Sequence, residues 1–272
     1  MEKFETIVLK AKDDVYTHLQ GGNLAKLLGQ GYDFSELRSY ESSDDIRYIS
    51  WINSAKSNEL YVKKMHEERE LLVHVSLLVD GRMVIGEKQA LMTYILTFLA
   101  HSAVRTNNLF ETSFFMGEEL KRFEAVKSVE DLDPMVKTFQ QIEPLGLTFD
   151  YKDLQNRLSK VQEQKSLFFV VGDFLDEVDL SVLAQKHELY VIMVRDRWEE
   201  NPSVGFDVEL VNPLSNSIIA KNLSKKALAH YVEKCKEHDE KLYAHFHQHK
   251  IKYLKVYEPS EVFKKLKQLL YF

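Results

Sequence analysis

Two groupings in this chain have residue types and spacings that chemistry could use: a loop at 80–88 and a histidine-rich stretch at 245–249. The loop reads Asp80-Gly81-Arg82-Met83-Val84-Ile85-Gly86-Glu87-Lys88 and follows the apolar run 71–79. Its two glycines and its lysine nearly imitate a phosphate-binding loop, in which backbone N–H groups cradle the phosphates and the lysine reaches the outer ones. The imitation fails in three places. Lys88 is displaced by one position, Gln89 stands where a magnesium-binding Ser or Thr belongs, and Arg82 and Ile85 put side chains where the backbone must approach a phosphate. Nucleotide binding is therefore not expected. His245 and His249 share one helix face at the four-residue spacing that can clamp a metal, while His247 points away. His238 lies roughly 10 Å along the axis from His245, too far to share an ion. No glutamate stands between the pair, which excludes a metalloprotease helix. A wet flank beside the apolar stripe Leu228, Tyr231, Val232, Cys235, Leu242 and Phe246 is the expected role. The carboxylate pairs Asp44-Asp45 and Asp173/Asp176 meet the minimum for acid–base work, but such pairs more often cap helices or bind arginines. No Gly-x-Ser-x-Gly elbow is present, and Cys235 falls mid-helix without a base.

The elements that must position these residues follow from periodicity. Residues 1–30 read as helix, with glycines at 21, 22, 29 and 31 at the exit. Residues 31–66 hold short aromatic and β-branched runs, among them IRYISW and ELYVKKM, which predict two or three extended segments. Thereafter strands alternate with helices. Continuous apolar runs at 71–79, 166–173 and 188–196 predict strands buried on both faces. LFETSFFMG and LKRFEAV predict two more. Helices are expected over 87–107, 151–164, 178–187 and about 224–250, with a last one from Ser260, a suitable N-cap. A hairpin is expected around Asn212-Pro213, and a short strand over IKYLKVY. Such alternation implies an α/β fold: a mostly parallel sheet with helices on both faces. The expected division is 1–66, an N-terminal helix with a small β-rich appendage, and 67–272, the main domain with the C-terminal helices.

Composition narrows the function classes. Hydrophobic residues at 44% and charged residues at 29% describe an ordinary soluble domain large enough to fold without disulfide or metal. The single cysteine, Cys235, excludes an intramolecular disulfide and fits a reducing compartment. The N-terminus has no apolar stretch of signal-peptide length, and no run is long enough to span a membrane, so a cytoplasmic protein is expected. From Lys221 onward there are twelve Lys and six Asp or Glu, an excess of six positive charges; with a total of −6, the first 220 residues carry −12. The tail's lysines interleave with acids, and an acidic body repels phosphates, so no nucleic acid is expected as a partner.

Residues 29–70 say more. The segment GQGYDFSELRSYESSDDIRYISWINSAKSNELYVKKMHEERE resembles domain-of-unknown-function family fifty-eight, a bacterial family related to von Willebrand factor A domains and typically encoded beside MoxR-type AAA+ ATPases. The matching positions are Gly31, Phe34, Leu37, Arg38, Tyr40, Asp44, Asp45, Arg47, Ile49, Trp51, Ala55, Leu60, Tyr61, Val62, Lys63, Glu68, Arg69 and Glu70, with Ser43 and Ser50 departing from the pattern's glycine and aspartate. SLFFVVGDFLDE matches the family's later strand block, so the resemblance covers most of the chain. It implies a von Willebrand factor A-like, Rossmann-like sheet and a metal-dependent adhesion site. In such sites a D-x-S-x-S loop, a Thr and an Asp hold a divalent cation, and an open coordination position takes a carboxylate from the partner.

Here that site is degenerate. Aligned on Glu68-Arg69-Glu70 upstream and Gly86 downstream, the D-x-S-x-S positions fall on Leu78, Asp80 and Arg82. Leu78 supplies no oxygen, and Arg82 brings a permanent cation to a serine's place. Thr148 and Asp173 match the second and third loops, leaving Asp80, Thr148 and Asp173 as remnant ligands. The expectation is that Arg82 replaces the ion, its guanidinium satisfying Asp80 and Asp173. No cofactor is expected, with Mg or Mn disfavoured. The resemblance implies a non-enzymatic protein–protein interaction module acting with a MoxR-type AAA+ ATPase and its clients, in an assembly or chaperone-like role. Its expected contact face is Asp80, Gly81, Arg82, Met83, Thr148, Asp150, Asp173 and Asp176. The appendage residues Asp44, Asp45, Arg47 and Trp51 are expected to form a buried ion network around the indole rather than a binding site. Two rival functions are a metal-dependent hydrolase using Asp80, Asp173 and Asp176, and a structural subunit of a membrane-associated complex.

Overall fold

The structure, a computed structural model, describes residues 2–20, 34–42, 44–57, 59–65, 70–203, 210–220 and 224–270. The chain divides into two units, one formed by Met1–Leu28 with Leu71–Phe272 and the other by Gly29–Glu70.

In the larger unit the long apolar runs become strands. They are β3 (Leu72–Val79), β4 (Leu109–Met116), β6 (Leu167–Gly172) and β7 (Glu188–Val194), with β5 (Glu119–Val126) and β10 (Lys252–Val256) at the edges. The order is β10-β7-β6-β3-β4-β5, and every pairing is parallel except that of β4 with β5. Period-2 alternation splits each central strand between two cores. Val73, Val75, Leu77 and Val79 face the side covered by α1 (Glu2–Gln20), α3 (Lys88–Arg105), α4 (Leu132–Gln140) and α9 (Pro259–Leu270). Leu78, Phe168, Val170 and Val191 face α5 (Leu154–Val161), α6 (Ser181–Lys186) and α8 (Lys225–Gln248). No helix among the described residues is long and apolar enough to cross a membrane.

Two expectations change here. The N-terminal helix, grouped with the appendage by the 1–66 boundary, is part of the larger unit: Ala11 and Val15 are fully buried, and Tyr94 on α3 donates to Asp14 at 2.6 Å. Helix α4 was not anticipated at all; its amphipathic stripe of Leu132, Met135, Val136 and Phe139 lies in a stretch interrupted by Pro134.

The smaller unit pairs β1 (Phe34–Ser39) with β2 (Tyr61–Met65) antiparallel and adds a short helix, α2 (Trp51–Ser57). IRYISW, expected to be extended, instead forms a 3-10 turn over Ile46–Tyr48 and the start of α2. The local reason is capping: the Asp45 carboxylate accepts from Arg47 N at 3.0 Å and so holds the turn. The buried ion network expected around Trp51 is also corrected. Arg47, paired with Asp45 at 2.9 Å, has a side chain 82% exposed, and Trp51 is 67% exposed. Asp45 spends its charge on a neighbour two residues away, so nothing draws the pair inward. Asp44 pairs with Arg38. Tyr40 donates its backbone N–H to Leu60, and Tyr61 donates its own to the Ser54 hydroxyl. Gly31 lies outside the described residues.

Candidate functional site

The chain leaves β3 for β4 on one side of it and, after β5, returns to β6 on the other. A crevice must open where the connections diverge, at the carboxyl ends of β3 and β6. Asp80 follows β3, and Asp173 follows β6. Asp80 caps a 3-10 turn over Gly81–Val84 by accepting from Arg82 N at 2.9 Å, which turns the Arg82 side chain back over the strand ends. Gly81 is required there, since a Cβ would sit 2.0 Å from the Pro213 carbonyl oxygen. Gly81 N donates to Leu147 O and Gly146 N to Pro213 O, both at 2.9 Å, so three loops are tied into one surface.

At the centre lies the guanidinium. Arg82 Nε is 3.0 Å from Asp80 Oδ2 and 3.1 Å from Asp173 Oδ2, and Nη2 is 2.7 Å from Asp176 Oδ2. The pairing expected with Asp80 and Asp173 is present, with Asp176 as a third partner. Asp80 and Asp173 are buried, Arg82 has a side chain 13% exposed, and Asp176 reaches solvent. The Tyr151 hydroxyl lies 3.4 Å from both Asp80 Oδ2 and Asp173 Oδ1, and its ring sits under the guanidinium. Deeper in, Lys88 opens α3 fully buried, its Nζ 2.7 and 2.8 Å from the two oxygens of Glu199 on the short helix α7 (Arg197–Glu200) and 3.5 Å from Asp173. Beyond it, Arg195 after β7 donates to Phe174 O at 3.0 Å and to Asp239 at 2.9 Å.

Burial and charge push these groups apart. Burial and the nearby Asp173 raise the Asp80 carboxyl despite Arg82. Burial also works against Asp173, but Lys88 and Arg82 outweigh it and hold that carboxyl below its usual range. Burial opposes the charge on Arg82 too, yet Asp173 and Asp80 raise it further. Tyr151 is driven up by burial and the two aspartates, so it stays a donor.

The other expected face residues divide. Thr148 is exposed, its carbonyl oxygen lying against Gly117, and among the described residues its hydroxyl makes no hydrogen bond to the cluster. Asp150 is exposed and caps its own turn, accepting from Lys152 N. Met83 is buried in the core. Tyr151, Glu199 and Arg195 are absent from the sequence reading, and Lys88 enters it only as a displaced phosphate-loop lysine. The signal for Lys88 was a charge at the head of an almost wholly apolar helix, which demands a buried acid.

The histidines lie elsewhere. His245 Nε2 accepts from Leu180 N at 3.2 Å, His247 pairs with the Tyr253 hydroxyl, and the His245 and His249 rings are 4.7 Å apart. Among the described residues no group of three or more His, Cys, Asp or Glu is placed to hold a metal. The crevice fits a divalent cation poorly on its own terms. The oxygens of Asp80 and Asp173 already face Arg82 and Lys88, Leu78 is a core residue, and a dication would stand against two fixed positive charges.

An α/β domain with a mostly parallel sheet and a buried charge cluster at its switch point is thus the class. The chain belongs to the family described as "Protein of unknown function DUF58", whose pattern matches residues 36–241. Uncharacterized proteins of Mycobacterium bovis (Mb1516) and Mycobacterium tuberculosis (Rv1480) are each 25% identical over 211 residues, covering 74% of this chain and 67% of theirs. Among solved structures, a conserved hypothetical protein BatB from Bacteroides thetaiotaomicron is similar at TM-score 0.43 and 13% identity, covering 74% of this chain and 97% of that one. An aerotolerance-related membrane protein from Bacteroides fragilis is similar at TM-score 0.40 and 12% identity, covering 74% and 98%.

Proposed function

We propose that this chain is a non-enzymatic protein–protein interaction module. It docks partners through the loop face around Arg82, and its larger unit is a von Willebrand factor A-like domain with a degenerate adhesion site. One observation carries the reading: the Arg82 guanidinium lies among Asp80, Asp173 and Asp176, the carboxylates a cation or a hydrolase would need. With Asp80 and Asp173 committed to Arg82 and Lys88, an acid–base pair or a metal-activated water would have only the exposed Asp176 to work with. What remains is a stiff surface with Asp176 at its rim. The partner implied by the family resemblance is a MoxR-type AAA+ ATPase, with this chain linking it to clients in an assembly role in the cytoplasm.

The test is recovery of partners by a tagged copy, with and without ATP, beside calorimetry with Mg and Mn. ATP-sensitive recovery of an AAA+ protein by the wild type, reduced by Asp176→Lys, is expected. Cation binding near micromolar by the wild type would overturn the degenerate-site reading, and recovery unaffected by Asp176→Lys would overturn the proposed face.

A further inference from the structure

Beside the charged cluster lies a cavity of about 390 Å3, within the range of small-ligand pockets. Its walls are mostly apolar: Ile85, Leu175, Trp198, Leu214 and Leu228 contribute, with Tyr231 from α8 on one side. Two charged residues line it among those described, Arg82 and Glu199. Their free valences differ. Both Glu199 oxygens are taken by Lys88, and the residue is 5% exposed. Arg82 uses Nε and Nη2 on the three aspartates, while its Nη1 has no hydrogen-bond partner among the described residues. Such an apolar pocket offers donors and lacks a free anionic acceptor.

Formal charge decides what the donor can take. Arg82 and Lys88 supply two positive charges against four carboxylates, Asp80, Asp173, Asp176 and Glu199, leaving a local excess of two negative charges. An anion entering the cavity meets that excess and also loses water against apolar walls. A cation finds no free carboxylate among the described lining residues and faces Arg82. A neutral carbonyl satisfies Nη1 at no such cost. The geometry points to a binding site for an uncharged, carbonyl-bearing apolar group: one aliphatic or aromatic residue of a partner's peptide segment, its side chain in the cavity and its backbone carbonyl on Arg82 Nη1. This deepens the interaction reading and rests on it for the identity of the occupant as protein.

The experiment uses three leucine derivatives of one body and different charge: N-acetylleucinamide, N-acetylleucine and leucinamide. Each is titrated into the intact chain while the Trp198 indole N–H is followed by NMR. The neutral amide is expected to shift that resonance and to bind at least roughly tenfold tighter than either charged analogue, the margin a lost or opposed hydrogen bond gives. Ala227→Trp, at an exposed helix position lining the cavity, is expected to abolish the shift with an unchanged melting temperature. A melting temperature that fell would be answered by the wild type alone, through the ranking of the three probes. Equal binding of all three, preference for the acid, or no saturable shift at Trp198 would each overturn the site. Selective amide binding without any ATP-sensitive partner would sink the proposed function and leave the cavity assignment standing; partner recovery with no amide selectivity would do the reverse.

Discussion

Arg82 serves three carboxylates because its planar guanidinium fans several N–H donors outward in fixed directions, and a lysine at that position would have a single nitrogen for the same task. Arg82→Lys is therefore expected to lose about 1–3 kcal/mol. Arg82→Met leaves Asp80 and Asp173 facing each other in a site almost without water, and should cost about 3–5 kcal/mol. Urea unfolding ranks the two variants, and a Met variant as stable as the wild type would contradict the geometry. A complementary variant is Arg82→Ser, which removes the fixed cation and adds a hydroxyl beside two aspartates. Millimolar Mn should raise the melting temperature of Arg82→Ser and leave the wild type unmoved; no difference between them would mean that Arg82 is not what disfavours the ion. At this scale the chain was half legible. Asp80 and Arg82 are two residues apart, and Asp173 ends an apolar run, so their meeting at neighbouring strand ends could be reasoned out. Lys88 and Glu199 are 111 positions apart, and only the completed sheet shows that they touch.

Elements place these residues, and their own sequence signals varied in strength. The strands β3, β6 and β7 are unbroken apolar runs because both faces are covered, and that pattern was readable directly. Helix α4 and the turn at Ile46–Tyr48 were not readable, for opposite reasons. Pro134 in the first turn of α4 resembles a helix breaker until its position near the start is known. The aromatic and β-branched residues of IRYISW favour a strand, and a single carboxylate cap overrides them. The loop surface also depends on close approach between elements. Gly81→Ala places a methyl carbon 2.0 Å from Pro213 O, so the turn over Gly81–Val84 and the hairpin between β8 (Leu210–Asn212) and β9 (Ser217–Ala220) must separate. The expected cost is about 2 kcal/mol or more. Hydrogen exchange should show faster exchange of the Gly81 and Gly146 amides, which donate to Leu147 O and Pro213 O. Unchanged protection of both amides would show that the loops are not tied together.

Across the larger unit, charge is buried in a way that couples folding to pH. His101 on α3 is 1% exposed, and neither ring nitrogen has a hydrogen-bond partner among the described residues. Burial, with Lys12 and Arg105 nearby, pushes its pKa down to about 4; burial and Lys186 do the same to His187. His74 is lowered as well, by burial, although Glu111 lies 2.6 Å away and pulls it up. A histidine held neutral in the fold titrates at about 6.5 once the chain is unfolded. Above that pH neither state binds the proton, and the stability is fully present. As pH falls from 6.5 toward 4 the unfolded chain takes up protons that the folded chain refuses, so stability drains away, and below 4 this contribution levels off. His101 and His187 should each remove on the order of 1–2 kcal/mol across that window. Asp173, held low by Lys88 and Arg82 against the effect of burial, adds its own loss beneath it as the carboxylate range is reached. The two contributions separate through His101→Leu, which sacrifices no hydrogen bond within the described residues and fills the same apolar site. Its melting temperature should match or exceed the wild type's at pH 7, and its advantage should widen steadily between pH 6.5 and 4.5. Parallel melting curves for the two proteins over that window would mean that His101 takes its proton within the fold, and that the unit is less tightly closed around α3 than its packing implies.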